Sequence, residues 1–133
     1  MDFSLEHECL PDGIAIIAVR GELNQYTSAK YRDLMIQLFK DGNRRLVVDL
    51  ELCEFLDSTG LGDVVRTLQK YRRSDGRVLI VCNQERILKI FRITGLTKIF
   101  DIFSDVGSAV SEMSDSDQDG AGHSEGAPLD ESR

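Results

Sequence analysis

The sequence predicts an α/β fold: a mixed central β-sheet of about four to five strands with about four α-helices, followed by a disordered acidic C-terminal tail. Three observations predict it. Short apolar runs at residues 14–19, 46–50 and 78–82 alternate with segments whose apolar residues recur every three or four positions, the pattern of strands linked by helices. Pro11-Asp12-Gly13 separates an alternating stretch from the first apolar run, so the sheet opens with a hairpin and is mixed. The chain has 133 residues, 41% of them hydrophobic, enough for one core.

Phe3, Leu5, His7 and Cys9 alternate with polar residues and form a first strand suited to a sheet edge. Residues 14–19 are a second, more buried strand that Gly21 closes. Thr27 and Ser28 start a helix with Tyr31, Leu34, Met35 and Leu38 on one stripe, and Asp41-Gly42-Asn43 stops it. Residues 46–50 are nearly all apolar, as in the middle of a covered sheet. Ser58 is the expected N-cap of the next helix, whose core stripe is Leu61, Val64, Val65 and Leu68. Arg66, Lys70, Arg72 and Arg73 give that helix a basic solvent side, and Asp75-Gly76 ends it. After the strand at 78–82, Asn83 caps a helix over 84–93 that Gly95 terminates. Residues 98–103 hold a short last strand. Ser104-Asp105 open a final helix with Val106, Ala109, Val110 and Met113 on one stripe. From residue 114 only Ala121, Ala127 and Leu129 are apolar, too few to offset the entropy of ordering. The expected division is a domain over 1–113 and a tail over 114–133.

The net charge of −7 belongs mostly to that tail. Asp115, Asp117, Asp119, Glu125, Asp130 and Glu131 stand against Arg133 alone, which leaves the first 113 residues at −2. A near-neutral domain is not a nucleic-acid binder. Three cysteines, Cys9, Cys53 and Cys82, lack C-x-x-C spacing and are expected as buried free thiols. His7 and His123 lie too far apart in the pattern for a metal site. The acidic N-terminus lacks the charge pattern of a signal peptide, and the aliphatic run at 14–19 is too short to span a bilayer. The expected location is the cytoplasm.

The chemistry concentrates at Leu56-Asp57-Ser58-Thr59-Gly60-Leu61-Gly62, between a strand pattern and a helix pattern. A hydroxyl there sits at the exposed, positive end of a helix, where free N–H groups and the dipole also suit a phosphate. Gly60 and Gly62 each cost the helix about 1 kcal/mol relative to alanine. Either a neighbouring strand packs against them or a partner approaches the backbone, and spacing alone leaves both open. In the later helix, Ile87, Leu88, Ile90, Phe91 and Ile93 spread wider than one core stripe requires, so part of that face is either core or partner surface.

This heptapeptide resembles the signature of the anti-sigma factor antagonist family, the STAS domain, in which the serine after Asp is phosphorylated. Gly21-Glu22-Leu23 is similar to the family's Gly-Glu-Leu-Asp turn, and Leu46-Val47-Val48-Asp49-Leu50 to its central strand. Residues 81–91 and Thr94-Gly95-Leu96 resemble its later strand, helix and turn, in a wording closest to actinobacterial members. The resemblance spans residues 3–113. It implies a non-enzymatic switch without a cofactor. The unphosphorylated form would bind an anti-sigma factor, a GHKL-type serine kinase, and so release a sigma factor. That kinase would phosphorylate Ser58 and a PP2C-type phosphatase would reverse it. The implied partner-binding residues are Gly21, Glu22, Asn24, Asp57, Ser58, Thr59, Gly60, Leu61 and Gly62. Asn24 stands where many members carry Asp, and the resemblance implies that its amide reaches the Ser58 hydroxyl.

Two other classes compete. A small-ligand or nucleotide-sensing domain could use the same fold, although no Walker-type phosphate loop is present. A receiver domain would phosphorylate Asp57 itself, but it needs an early acidic pair and a late lysine, where this sequence has Asn24 and Asn83. A serine hydrolase fits less well, since Leu-Asp-Ser-Thr-Gly is no nucleophile elbow and neither histidine is placed as a base.

Overall fold

A computed structural model describes residues 3–119 of the chain, with side chains to residue 114. Strands β1 (Ser4–Leu10), β2 (Ile14–Leu23), β3 (Arg45–Leu56), β4 (Arg77–Val81) and β5 (Asp101–Phe103) alternate with helices α1 (Ser28–Lys40), α2 (Ser58–Arg72), α3 (Glu85–Ile93) and α4 (Val106–Asp119). The strands form one sheet in sequence order, antiparallel between β1 and β2 and parallel thereafter. The expected mixed sheet is present, with five strands and four helices among the described residues. The acidic tail expected over 114–133 lies largely outside them, and α4 runs to Asp119.

The two sheet faces are covered unequally. On one, Ile17, Val19, Val48, Leu50 and Ile80 pack beneath α1, α2 and α3, with Tyr31, Leu68 and Phe91 fully or nearly fully buried. On the other, Ile16, Val47, Leu79, Val81 and Phe103 meet Ala109 and Met113 of α4. Period-two alternation of the strands produces this division, because successive side chains point to opposite faces.

Two strands are longer than their apolar runs. β2 continues through Gly21 to Leu23, and β3 continues past its pairing with β4 to Leu56. Register shifts between Ala18 and Arg20 and between Gly21 and Glu22 mark bulges, and Gly21 takes a φ of +87°. Glycine adopts that conformation without the Cβ clash that other residues meet. Thus Gly21 bends the strand instead of closing it, and the β2–β3 pair carries residues 22–24 and 56–58 to one end of the sheet.

Other local expectations change. Ser58 is not the N-cap of α2; Asp57 is, with its Oδ1 accepting from the Gly60 N–H at 2.8 Å. Asn83 does not cap α3. Its amide reaches Glu51 and the Ser104 carbonyl, while Gln84 holds the N-cap position and turns its amide back onto the carbonyls of Glu51 and Cys53 at 2.8 and 2.6 Å. Cys53 and Cys82 are buried free thiols as expected, but Cys9 is exposed because β1 is the sheet edge. Burial pushes the Cys53 thiol up to about 11. The wide apolar face of α3 is mostly core: Ile87, Leu88 and Phe91 are buried, Ile90 is half-buried, and Ile93 alone is largely exposed. No helix of the described residues is long and apolar enough to cross a membrane.

Candidate functional site

Asp57 organises the junction. While Oδ1 caps α2, Oδ2 accepts from the backbone N–H of Gln25 at 3.1 Å, and the Asp57 N–H donates to the Leu23 carbonyl at 3.3 Å. One carboxylate therefore ties the start of α2 to the loop between β2 and α1. The capping bond satisfies a donor that the helix itself cannot, and an anion at a helix N-terminus is favoured.

Ser58 follows as the first helical residue. It is exposed, and its hydroxyl makes no hydrogen bond among the described residues. A capping serine would spend its hydroxyl on a backbone N–H; because Asp57 takes that role, the Ser58 Oγ is left open to solvent. Thr59 and Leu61 are half-buried beside it.

The two glycines have different reasons. A Cβ on Gly60 would lie 2.1 Å from the Leu23 carbonyl oxygen, so this glycine lets α2 press onto the end of β2. Gly62 meets no backbone there; the nearest group is the Arg66 guanidinium, 3.4 Å from the Cβ position. Close packing explains Gly60 and leaves Gly62 unexplained by the fold.

Asn24 makes no hydrogen bond to the Ser58 hydroxyl among the described residues. Its Oδ1 accepts from the N–H groups of Tyr26 and Thr27 at 2.8 and 3.2 Å, and its Nδ2 donates to Glu22 at 3.3 Å. The side chain is spent on the turn that leads into α1, a common use of asparagine. Glu22, near the end of β2 that Gly21 bends, and Asn24, in the loop after it, are both half-buried.

Sequence reasoning missed a polar seam between α1 and α2. Fully buried Asp63 accepts from the Ser28 hydroxyl, and from Arg66 at 2.9 Å, with Arg32 at 3.7 Å. Further along, the Tyr31 and Thr67 hydroxyls meet at 2.8 Å, and the Tyr71 hydroxyl donates to the Met35 carbonyl at 3.2 Å. Burial pushes the Tyr71 phenol up to about 12, partly offset by Arg44, and raises Tyr31 further. The signal was present: Gly60, Asp63, Val64, Thr67, Leu68 and Tyr71 follow helical spacing. The buried stripe is rotated from the apolar one of Leu61, Val64, Val65 and Leu68, because polar residues share it, and Leu61 and Val65 are only half-buried.

Among the described residues, no group of three or more His, Cys, Asp or Glu is placed to hold a metal ion. Both Asp57 oxygens are engaged by backbone N–H groups, which is a structural role and not that of an open phosphoacceptor.

Comparison with known proteins agrees with this architecture. A family model described as the STAS domain matches residues 10–109. An anti-sigma-B factor antagonist of Staphylococcus aureus is 35% identical over 86 residues, covering 65% of this chain and 80% of the relative. The solved anti-sigma factor antagonist of Mycobacterium paratuberculosis superposes with a TM-score of 0.75 at 24% identity, over 83% of this chain and 92% of that one. A candidate antagonist from Thermotoga maritima gives 0.76 at 22% identity, over 81% and 92%. These relatives correct the expectation of an actinobacterial wording: staphylococcal antagonists reach 35% identity where the mycobacterial structure has 24%. Short motif likeness had suggested a lineage that identity over the whole matched segment does not support. With its fold, its junction at Asp57 and Ser58 and these matches, the chain belongs to the STAS-domain family of anti-sigma factor antagonists.

Proposed function

We propose that this antagonist binds an anti-sigma factor while Ser58 is unmodified, thereby freeing a sigma factor, and that phosphorylation of Ser58 ends the binding. In this reading the anti-sigma factor is itself a GHKL-type serine kinase that uses ATP, and a PP2C-type phosphatase restores the hydroxyl. The chain is a regulatory binding module acting in the cytoplasm, with no cofactor of its own. The observation that carries the reading is the Ser58 hydroxyl, exposed and without a hydrogen bond among the described residues at the start of α2. Asp57 has taken over the capping duty that would otherwise explain a serine there.

The partner-binding face comprises Glu22 at the end of β2 and Asn24 in the turn after it, with Asp57, Ser58, Thr59, Leu61 and Gly62 from the start of α2, and buried Gly21 shapes it by bending β2. Gly60 contributes by setting how closely the two pieces approach. Residues 1–113 form the STAS domain that carries this face, followed by the acidic stretch 114–133. Phosphorylation adds about −1.5 to −2 charges where a helix N-terminus tolerates an anion, so the fold survives. The cost falls on the interface, where a doubly charged group must be desolvated beside Asp57.

The test is a binding titration against the cognate anti-sigma factor. Ser58→Ala should bind it and no longer accept phosphate, as read by intact mass. Ser58→Glu should bind at least tenfold more weakly with a melting temperature near that of the unmodified chain. Unfolding of Ser58→Glu, or unchanged affinity, would make the serine structural.

A further inference from the structure

Arg66 lies on the exposed side of α2, one turn after Gly62. Its guanidinium folds back toward the helix N-terminus, over the bare backbone of Gly62, with NH2 and NH1 3.4 and 3.5 Å from the Cβ position there. Helix side chains lean toward the N-terminus, so this direction is the normal one. Gly62 is four residues from Ser58, and positions four apart face each other at about 6 Å. The guanidinium is thereby parked on the same strip of α2 as the Ser58 hydroxyl, one turn away.

Arg66 is not locked there. It is 58% exposed and anchored by one bond, from NH2 to Asp63 Oδ1 at 2.9 Å. Asp63 has other partners, since the Ser28 hydroxyl donates to its Oδ2 and Arg32 lies 3.7 Å from its Oδ1. The buried carboxylate therefore stays compensated if Arg66 swings away. Without that second cation, releasing Arg66 would strand a charge that is fully buried, a costly step.

We infer that Arg66 is the internal receptor for a phosphoryl group on Ser58, exchanging the Asp63 carboxylate for the phosphate and sliding across Gly62 to reach it. The inference rests on Ser58 being the modified residue. A guanidinium offers phosphate a planar fork of donors, and a dianion competes well against a carboxylate already shared with Arg32 and Ser28. The phosphate then does more than repel. It draws a long side chain over Gly62, the place near the start of α2 where the backbone is bare and the fold does not require it to be. Gly62 thus serves as the track for Arg66, and the same movement covers part of the binding face. Asp57, the neighbouring N-cap residue, opposes the second ionisation of that phosphate, whereas Arg66 favours it.

The test uses the full chain with phosphoserine installed at position 58 by genetic encoding, so that no kinase is needed. Phosphorus NMR follows the second phosphate ionisation, ordinarily near pH 6, at low salt. Arg66→Gln should raise that midpoint by about half a unit or more, because an adjacent cation favours the dianion. Arg66→Lys should fall between, and Arg32→Gln should leave the midpoint in place. In the unsubstituted chain, the Arg66 Nε–Hε resonance should move on phosphorylation while that of Arg32 stays. The idea is overturned if Arg66→Gln titrates with the parent, if Arg32→Gln shifts it equally, or if the Arg66 resonance does not respond. Binding of the anti-sigma factor is read on the same samples. A phosphorylated chain that still binds refutes the switch reading, whatever the titration shows.

Discussion

Asp57 accepts a hydrogen bond from the backbone N–H of Gln25 at 3.1 Å, joining parts of the chain 32 residues apart, while its other oxygen caps α2 through Gly60. The two segments proposed as the binding face are thus set by one side chain. Asp57→Ala should lose the cap, worth about 1 kcal/mol, and the loop anchor as well. A denaturant titration should show a loss of about 1–3 kcal/mol with an unchanged slope. Asp57→Asn keeps an acceptor for Gly60 and should lose less. Equal stability of Asp57→Ala and the parent would show that the junction is held elsewhere.

The glycines give opposite expectations. Gly60→Ala places a methyl 2.1 Å from the Leu23 carbonyl oxygen and 2.9 Å from its carbon, and backbone cannot step aside cheaply. The loss should be about 2–3 kcal/mol or more, visible as a melting temperature lowered by roughly 10 °C. Gly62→Ala meets only a flexible guanidinium, so better helix propensity should leave stability equal or raise it by up to about 1 kcal/mol. If Gly62→Ala is stable yet binds the anti-sigma factor poorly, the bare backbone at 62 belongs to recognition.

The order and type of the elements were legible because the strands are covered on both sides over their middles and the helices keep a regular stripe. What escaped was set by tertiary contacts. Asp57 and Ser58 are both good capping residues, and only the approach of Leu23 and Gln25 decides between them. The ends of β2 and β3 look irregular in sequence because bulges interrupt alternation, and Gly21 reads as a stop where it is a bend. Asp63 escaped because an acid inside a helix reads as a solvent residue until Ser28 and two arginines are brought to it.

Thiol chemistry offers a direct check of the burial pattern. Cys9 is exposed on the edge strand, while Cys53 and Cys82 are buried, and burial raises both thiols. An aromatic disulfide reagent at pH 8 should titrate one thiol rapidly in the native chain and three after denaturation. Rapid reaction of a second native thiol would mean that the β3 or β4 end opens readily.

Alkaline pH should loosen the α1–α2 seam. Burial holds the Tyr71 phenol at about 12 against an ordinary 10.0, and Tyr31 is raised as well. Both must stay protonated in the fold, whereas the unfolded chain gives up these protons near pH 10. The seam's contribution is therefore complete below about pH 10 and declines as pH rises toward the folded values, by up to about 1.4 kcal/mol per unit for each tyrosine. Melting temperatures measured at pH 8, 9, 10 and 11 should be flat at first and then fall. Tyr71→Phe should fall less steeply, and an unchanged slope would place the alkaline sensitivity elsewhere.

Asp63 is the keystone of the same seam, and the outcome of removing it depends on which groups are left buried. Arg32 and Arg66 are 44% and 58% exposed, so they return to water at little cost when the carboxylate is gone. Ser28 cannot, because it is 2% exposed and its hydroxyl donates to Asp63. Asp63→Ala should therefore cost about 1–3 kcal/mol, from a buried hydroxyl that loses its acceptor but still accepts from Arg32 at 2.8 Å, plus a small cavity, and less than the 3–5 kcal/mol typical of a stranded buried charge. Adding Ser28→Ala to Asp63→Ala should recover part of that loss, since the buried O–H donor left without an acceptor goes with it. A double-mutant cycle by urea denaturation measures the coupling between the two residues. Strict additivity would mean that the Ser28 hydroxyl does not depend on Asp63, leaving the Arg32–Asp63 pair and the contacts of Tyr31, Thr67 and Tyr71 to join α1 and α2.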